Sequence, residues 1–243
     1  MINAKPVPTP LPVGLKLVLD DGHVLPDPGR FRRLVGCLLY LGFTRPDISF
    51  AVQQLSQFLQ APRRSPWDAT LHILSYLKGT PTIGLFFSFA SSTQFTAYSD
   101  ASWASSLDSH CSIIGFRVFL GSSLISWKTR KQGTISRSSA KAEYRSMESI
   151  VYELLWISVS LPIPFWCDNK AALYITANPI FHERTKHLDI DCHLVGDQFK
   201  LGFISPSHIR NSDQLAVLFT KALPSPVFAR FLSKMCLSST PPS

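Results

Sequence analysis

Three carboxylates stand at special points of one stretch of the chain, residues 95–168. Asp100 ends a predicted strand, Glu143 lies in a predicted helix that follows Ser138-Ser139, and Asp168 closes a later predicted strand. Open α/β sheets place their ligands at the carboxyl ends of strands, and carboxylate oxygens are the ligands that Mg²⁺ prefers. We expect the three to meet at one sheet edge and to hold divalent metal for cutting a nucleic-acid phosphodiester.

Helical periodicity places Glu143 on the side of its helix that faces the core. Glu143 lies one turn before Met147 on an apolar stripe that recurs at helical spacing. The stripe continues through Ile150, Val151, Leu154 and Leu155. A carboxylate there is costly unless a metal or a hydrogen-bond network compensates its charge. The alternative is a first-turn glutamate that the helix dipole favours.

Each aspartate also has an ordinary alternative. Asp100 could be a turn residue before Ala101-Ser102, and Asp168 could cap the helix that begins near Asn169. Taken singly, each aspartate fits its ordinary role better than catalysis. The order of strand Asp, helix Glu, strand Asp is more specific than any one of the three residues.

The elements around these carboxylates predict an α/β fold, a mixed sheet with flanking helices. Residues 114–120 alternate between apolar and other side chains, and Gly121-Ser122-Ser123 turns the chain back into a second strand. The last strand is predicted from Phe203 to Ile209. We divide the chain into a proline-rich lead-in at 1–29, a helical region at 30–94 and a sheet-containing domain at 95–243.

Basic residues follow the same elements. Lys128, Arg130 and Lys131 come after Trp127 on the returning strand, and Arg137 begins a basic row on the following helix. Basic residues beside an aromatic ring suit the phosphate backbone of a nucleic acid, and ordinary solubilising charge is the alternative. His208, near the end of the last strand, could assist product or water handling, or it could be an exposed loop histidine.

Composition narrows the class of protein. The 243 residues are 45% hydrophobic and carry a net charge of +8, which favours a polyanionic partner. The five scattered cysteines include no Cys-x-x-Cys pair. They indicate a reduced intracellular setting, cytoplasm or nucleus, and not a secreted protein. The longest apolar stretches are too short to span a membrane, so we expect no membrane partner.

Five runs carry a family resemblance. They are residues 98–104 (YSDASWA), 138–144 (SSAKAEY), 167–169 (CDN), 181–193 (FHERTKHLDIDCH) and 214–224, where QLA is followed by FTKALP. Together they resemble the ribonuclease H domain of copia-type LTR retrotransposon Pol polyproteins. The resemblance spans nearly the whole chain, and the helical region resembles the end of the reverse transcriptase, its thumb and connection.

The resemblance implies a ribonuclease H-like fold that hydrolyses RNA in RNA–DNA hybrids. It implies two Mg²⁺ (or Mn²⁺) ions between acidic side chains, for which Asp100, Glu143 and Asp168 are the catalytic residues and metal ligands. The implied partners are the hybrid and the upstream polymerase region of the same element.

The most consequential departure from the family pattern is Val217, where the family carries an aspartate as a fourth carboxylate. Asp213 lies one helical turn earlier, about 5–6 Å away, which is too far for direct replacement. Two smaller departures are Lys141, which we expect to alter only surface charge, and Ser102, where the family often has aspartate.

A shortened connection at Leu161-Pro162 is a further departure. The family has roughly a dozen more residues here, and a crossover must return to the start of a parallel strand. Either the helix ends early, near Tyr152, or the fold is strained.

These departures predict an impaired enzyme. Three carboxylates could retain one ion well and a second poorly, since two ions about 4 Å apart need enough negative charge. We expect weak or absent cleavage by a fold that still binds hybrid. The alternatives are an active endonuclease, a decayed nucleic-acid-binding fragment and a host-recruited interaction module.

Overall fold

The structure is a computed structural model that describes residues 4–89, 91–157, 162–178 and 191–238. It divides into two compact units. The first comprises Met1–Phe86, Leu107–Ser109 and Lys221–Ser243, and the second comprises Phe87–Ser106 and His110–Thr220. This division groups the segment after Thr220 with the N-terminal helices, whereas the sequence analysis assigned it to the domain at 95–243.

Helices dominate the first unit: α1 (Pro28–Leu41), α2 (Ser49–Ser56) and α3 (Arg64–Gly79), with α7 (Ser225–Leu232) near the C-terminus. The side chain of Asp27 accepts a hydrogen bond from the Arg30 N–H and so caps α1. A short strand β1 (Gly84–Leu85) pairs antiparallel with β7 (Leu237–Ser238). Helices α1, α2 and α3 lie almost entirely within residues 30–94, which the sequence predicts as a helical region.

A buried polar network fastens α3 to the turn before α2. Arg45 donates from Nε and Nη2 to both carboxylate oxygens of Asp47, at 2.9 and 2.7 Å. The Tyr76 hydroxyl donates to Oδ2 of Asp47 at 2.6 Å. Burial, and then the neighbouring Asp47 carboxylate, raise the pKa of Tyr76 well above its ordinary value.

The second unit is built on a five-stranded mixed sheet. Its strand order is β4-β3-β2-β5-β6, with β3 antiparallel to both neighbours and β5 parallel to β2 and β6. The strands are β2 (Phe95–Ser102), β3 (Ile113–Leu120), β4 (Ser123–Lys131), β5 (Ile163–Cys167) and β6 (Ile204–His208). The flanking helices are α4 (Ser139–Ile157), α5 (Lys170–Ala177), α6 (Asp191–Lys200) and a 3₁₀ helix at Leu215–Phe219. The predicted α/β class, a mixed sheet with flanking helices, is confirmed.

Helix α4 covers one face of this sheet. Met147, Ile150, Val151 and Leu154 are fully buried, and they join one core with strand residues such as Phe165. This burial is the main source of the helix's stability, because an amphipathic helix gains more from packing than from propensity.

The helix continues to Ile157, past Tyr152, so the alternative in which it ends early is wrong. Residues 158–161 of the short connection lie outside the described residues. None of the helices in the described ranges combines the length and apolar character that a membrane span requires.

Candidate metal centre

The two predicted strand aspartates stand at the same end of the sheet. Strands β2 and β5 run parallel, with Ala97 opposite Phe165 and Tyr98 opposite Trp166. Asp100 and Asp168 each lie two residues beyond the Tyr98–Trp166 pair. Because parallel strands point their carboxyl ends the same way, the backbone itself brings these two positions to one edge.

Asp100 is a strand residue and not a turn residue, because β2 continues to Ser102. Its side chain is buried, and Oδ2 accepts a hydrogen bond from the Thr220 hydroxyl. Its backbone carbonyl accepts from Ser146 Oγ on α4 at 3.0 Å. Asp100 is therefore held from both α4 and the segment that follows the 3₁₀ helix.

Glu143 occupies the core-facing side of α4, beyond the first turn of a helix that begins at Ser139. It is 5% exposed, and its Oε1 accepts a hydrogen bond from the Ala101 N–H at 3.0 Å. The first-turn alternative is therefore wrong. A buried carboxylate that accepts a hydrogen bond from a backbone N–H is held in one position.

Asp168 follows β5 directly and is half-buried. Asn169, and not Asp168, caps helix α5, since its Oδ1 accepts from the Ala172 N–H at 3.0 Å. The capping alternative for Asp168 is therefore wrong as well.

The donor atoms of Glu143, Cys167 and Asp168 all lie within 4.8 Å of one another. Burial, and then the negative charge of Glu143, raise the pKa of the Cys167 thiol. The Asp168 and Asp100 carboxylates raise it further, and the Asn169 backbone N–H opposes the shift. The charges of all three predicted carboxylates thus act on the Cys167 thiol, and the donor atoms of two of them, Glu143 and Asp168, lie within 4.8 Å of its sulfur.

The 3₁₀ helix Leu215–Phe219 closes over the opposite face of the sheet. Gln214, fully buried, donates from Nε2 to the Ser99 carbonyl at 2.8 Å. A Cβ at Gly115, the β3 partner of Asp100, would lie 2.6 Å from Phe219 Cβ, so only glycine permits this approach. Val217 is buried in this helix, 3% exposed.

Sequence reasoning missed Cys167, Gln214 and Thr220 as parts of this site. All three lie in the runs 167–169 and 214–224, but Asp168 was the one residue of those runs that was assigned to the metal centre. The contacts of Gln214 and Thr220 with β2 join residues 115 and 120 positions apart, and no local pattern encodes them.

The predicted basic residues lie on the edge strand and the loop after it. Lys128 and Arg130 are exposed, and Lys131 is partly buried. Thr129 of β4 pairs with Gly115 of β3, and Gly115 pairs with Asp100 of β2. Lys128, Arg130 and Lys131 therefore lie at the same height along the sheet as Asp100, two strands away, which is about 10 Å between backbones. Arg137 is exposed and follows Ser136, whose carbonyl accepts the Trp103 indole N–H at 2.8 Å.

His208 ends β6 opposite Cys167 in the parallel register, and its side chain is exposed. It therefore shares the sheet end that carries Asp168. Most of the run at 181–193 lies outside the described residues.

Sequence comparisons identify the family. Two retrovirus-related Pol polyproteins of Arabidopsis thaliana, from transposons RE2 and RE1, are 42% and 43% identical over 252 residues. Each alignment covers 100% of this chain and 17% of the polyprotein. The chain belongs to the Pol polyproteins of copia-type retrotransposons, as the motifs predicted. It spans about a sixth of the length of these Pol relatives. No family model matches the chain.

Ribonuclease H domains are among the solved structures similar to this Pol segment. The N-terminal ribonuclease H domain of Rv2228c from Mycobacterium tuberculosis, solved as a fusion with maltose binding protein, superposes with a TM-score of 0.42. The sequence identity is 12%, and the match covers 58% of this chain and 98% of that chain.

The donor set of this Pol segment fits a single hard divalent ion. The donor atoms of Glu143 and Asp168 lie within 4.8 Å of each other, and Asp100 lies on β2, the strand next to β5. Six or more oxygens surround such ions in proteins, and water completes the set where side chains are few. The nearby thiol of Cys167 is a poor ligand for Mg²⁺.

Proposed function

We propose that the second unit of this Pol segment is a ribonuclease H domain that binds RNA–DNA hybrids and holds Mg²⁺ or Mn²⁺ with Glu143, Asp168 and Asp100. The observation that carries the proposal is the approach of Glu143 and Asp168 to within 4.8 Å at the sheet end where Asp100 stands. Two like charges at this distance repel each other. The proximity of the Glu143 and Asp168 carboxylates therefore favours a role in binding a cation.

Each carboxylate has a neighbour that keeps it in place. The Ala101 N–H fixes Oε1 of Glu143, and the Thr220 hydroxyl engages Oδ2 of Asp100. Glu143 Oε2 and the Asp168 carboxylate supply the remaining oxygens toward the ligand. A bound divalent ion would supply Lewis acidity toward a phosphodiester oxygen and an acidified water.

Lys128, Arg130, Lys131 and Arg137 are the proposed contacts for the phosphate backbone. Three of them lie level with Asp100 along the edge strand β4, and the net charge of +8 supports a polyanionic partner. We assign His208, exposed beside the β5 terminus, an auxiliary role in product or water handling.

We further propose that cleavage is weak or lost while hybrid binding persists. Val217 replaces the family's fourth carboxylate, and Asp213, the nearest acid before it, is exposed. The Thr220 hydroxyl already donates to Oδ2 of Asp100 and would compete with an ion for that oxygen. The alignments with the relatives span 252 positions against the 243 residues of this chain, and we assign part of this difference to the short connection at Leu161-Pro162.

A magnesium-dependent assay on an RNA–DNA hybrid tests the function. We expect slow or undetectable RNA cleavage by the parent chain, and none by Asp100→Asn. Val217→Asp should raise the rate if the missing charge is the defect. Cleavage that survives Asp100→Asn would remove the site assignment. Hybrid binding without cleavage in any variant would favour the decayed nucleic-acid-binding fragment.

A further inference from the structure

We propose that Cys167, together with Glu143 and Asp168, forms a binding site for a thiophilic divalent cation such as Zn²⁺ or Cd²⁺. The inference rests on the proposed function in that it shares two carboxylates with the magnesium site. It goes beyond that function because it assigns to the thiol a ligand chemistry that hard-ion catalysis does not use. Occupation of this site would exclude Mg²⁺ from the same carboxylates.

The distances fit a small cation bound by sulfur. Sγ of Cys167 lies 4.0 Å from Oε2 of Glu143, and all three donor atoms lie within 4.8 Å of one another. A tetrahedral zinc ion with Zn–S near 2.3 Å and Zn–O near 2.1 Å separates sulfur and oxygen by about 3.6 Å. A contraction of a few tenths of an ångström would therefore bring Cys167 and Glu143 to ligand spacing.

A backbone N–H already holds the sulfur of Cys167 in place. The Asn169 N–H donates to Sγ of Cys167 at 3.4 Å. Hydrogen bonds to a ligand atom orient that ligand and tune its affinity for metal. On binding, the metal–sulfur bond replaces the S–H bond, and the released proton passes to solvent.

A buried hydroxyl without a partner lies beside the thiol. Ser99 follows Ala97 on the face of β2 that packs against α4, and the β2–β5 register sets it beside Cys167. It is fully buried, and its Oγ has no hydrogen-bond partner among the described residues. Such an oxygen is costly in a packed core, so it indicates a place for a further polar ligand or a fourth donor.

Ligand softness decides which cation this set prefers. Thiolate ligands select Zn²⁺ and other soft or borderline ions, whereas Mg²⁺ requires oxygen donors. Two carboxylates and one thiolate also carry three negative charges, one more than is needed to neutralise a divalent cation. We therefore expect this centre to bind Zn²⁺ and Cd²⁺ more tightly than Mg²⁺.

The test uses the full chain with Cys37, Cys111, Cys192 and Cys236 changed to serine, so that Cys167 is the single thiol. We expect titration with CdCl₂ to produce the ultraviolet charge-transfer band of a cadmium thiolate, saturating at one ion per chain. Cys167→Ser in that background should abolish the band. Glu143→Gln or Asp168→Asn should weaken cadmium binding by at least about tenfold.

A second measurement keeps Cys167 in place, so it does not depend on whether the Cys167→Ser variant folds. X-ray absorption of the zinc-loaded single-cysteine chain should show one sulfur neighbour near 2.3 Å. A first shell of oxygen and nitrogen alone, or no cadmium band, would overturn the inference. Those two results would leave the ribonuclease proposal standing. Undiminished Mn²⁺ binding by Asp168→Asn would overturn the ribonuclease proposal instead, and the cadmium band of the single-cysteine chain would be unaffected by that result.

Discussion

The Thr220 hydroxyl donates a hydrogen bond to Oδ2 of Asp100, a residue 120 positions earlier in the chain. Both side chains are buried, and Thr220 also bonds the Val217 carbonyl at 3.1 Å. The contact ties the segment after the 3₁₀ helix to the central strand of the sheet. It also engages a carboxylate that the proposed metal centre uses.

Thr220→Val removes this donor with little change in side-chain shape. Because it withdraws a hydrogen bond from a buried carboxylate, we expect the unfolding free energy to fall by about 1–3 kcal/mol in EDTA. Chemical denaturation measures the change, and Thr220→Ser, which keeps the hydroxyl, is the matched control. A valine variant as stable as the parent would mean that the hydroxyl contributes nothing to holding Asp100.

Val217→Asp adds the carboxylate that the family carries at this position. Without metal, a charge at a site that is 3% exposed should lower the unfolding free energy by about 1–3 kcal/mol. With Mg²⁺ the loss should be recovered in part, since the added carboxylate gains a cation. Thermal unfolding with and without Mg²⁺ measures both effects.

The matched control is Val217→Asn, which has nearly the same shape as the aspartate but no charge. It should show the destabilisation without recovery by Mg²⁺. Equal recovery in the two variants would rule out a charge effect at this position.

Lys128→Ala and Arg130→Ala should each reduce the salt dependence of hybrid binding. Removing one phosphate contact lowers the slope of log K against log salt concentration by about 1. Fluorescence anisotropy with a labelled hybrid at several salt concentrations gives this slope. The control is Lys200→Ala, an exposed lysine at the end of α6, which precedes the amino end of β6 and so lies at the opposite end of the sheet from Asp168. An unchanged slope in both edge-strand variants would place the phosphate contacts elsewhere.

The raised pKa of Tyr76 should make the stability of the first unit depend on pH. Burial and the Asp47 carboxylate raise the pKa of this phenol in the folded chain, whereas the unfolded chain titrates near its ordinary value of about 10. The unfolded state therefore loses a proton first as pH rises, and stability should be fully present below pH 10 and decline above it.

Tyr76→Phe should be less stable than the parent below pH 10, because it loses the hydrogen bond to Asp47. Its stability should decline less between pH 10 and 11. Denaturation followed by circular dichroism at several pH values gives the comparison. Parallel curves for the two proteins would show that the pKa of Tyr76 is the same in the folded and the unfolded chain.

Much of the site's framework was predictable because it depends on local periodicity. The alternation in residues 114–120 marked a strand, and the apolar stripe around Met147 marked a helix with Glu143 on its buried side. Strand ends then located Asp100 and Asp168. Motif likeness to one family added the expected role of these carboxylates as catalytic residues and metal ligands, which spacing alone left open.

The remaining contacts depend on tertiary packing, which local patterns do not record. Residues 215–219 are apolar enough to suggest a longer helix, yet only a short 3₁₀ helix forms where Gln214 binds the Ser99 carbonyl. The position of Lys128 relative to Asp100 depends on two pairings, that of β2 with β3 and that of β3 with β4. Cys167 lies beside Asp168 in the sequence, but its second carboxylate neighbour, Glu143, comes from α4, so the sequence alone does not bring the three donors together.

The central claim is that Glu143 and Asp168, with Asp100, bind a divalent cation, and a Mn²⁺ titration followed by electron paramagnetic resonance tests it most directly. We predict that the parent chain binds Mn²⁺ at one site. Glu143→Gln and Asp168→Asn should lose this binding, and the exposed control Asp213→Asn should keep it. The two neutralised variants should also be more stable than the parent in EDTA by about 1–3 kcal/mol, since like charges within 4.8 Å no longer repel. Equal Mn²⁺ binding by the parent and both neutralised variants would contradict the account.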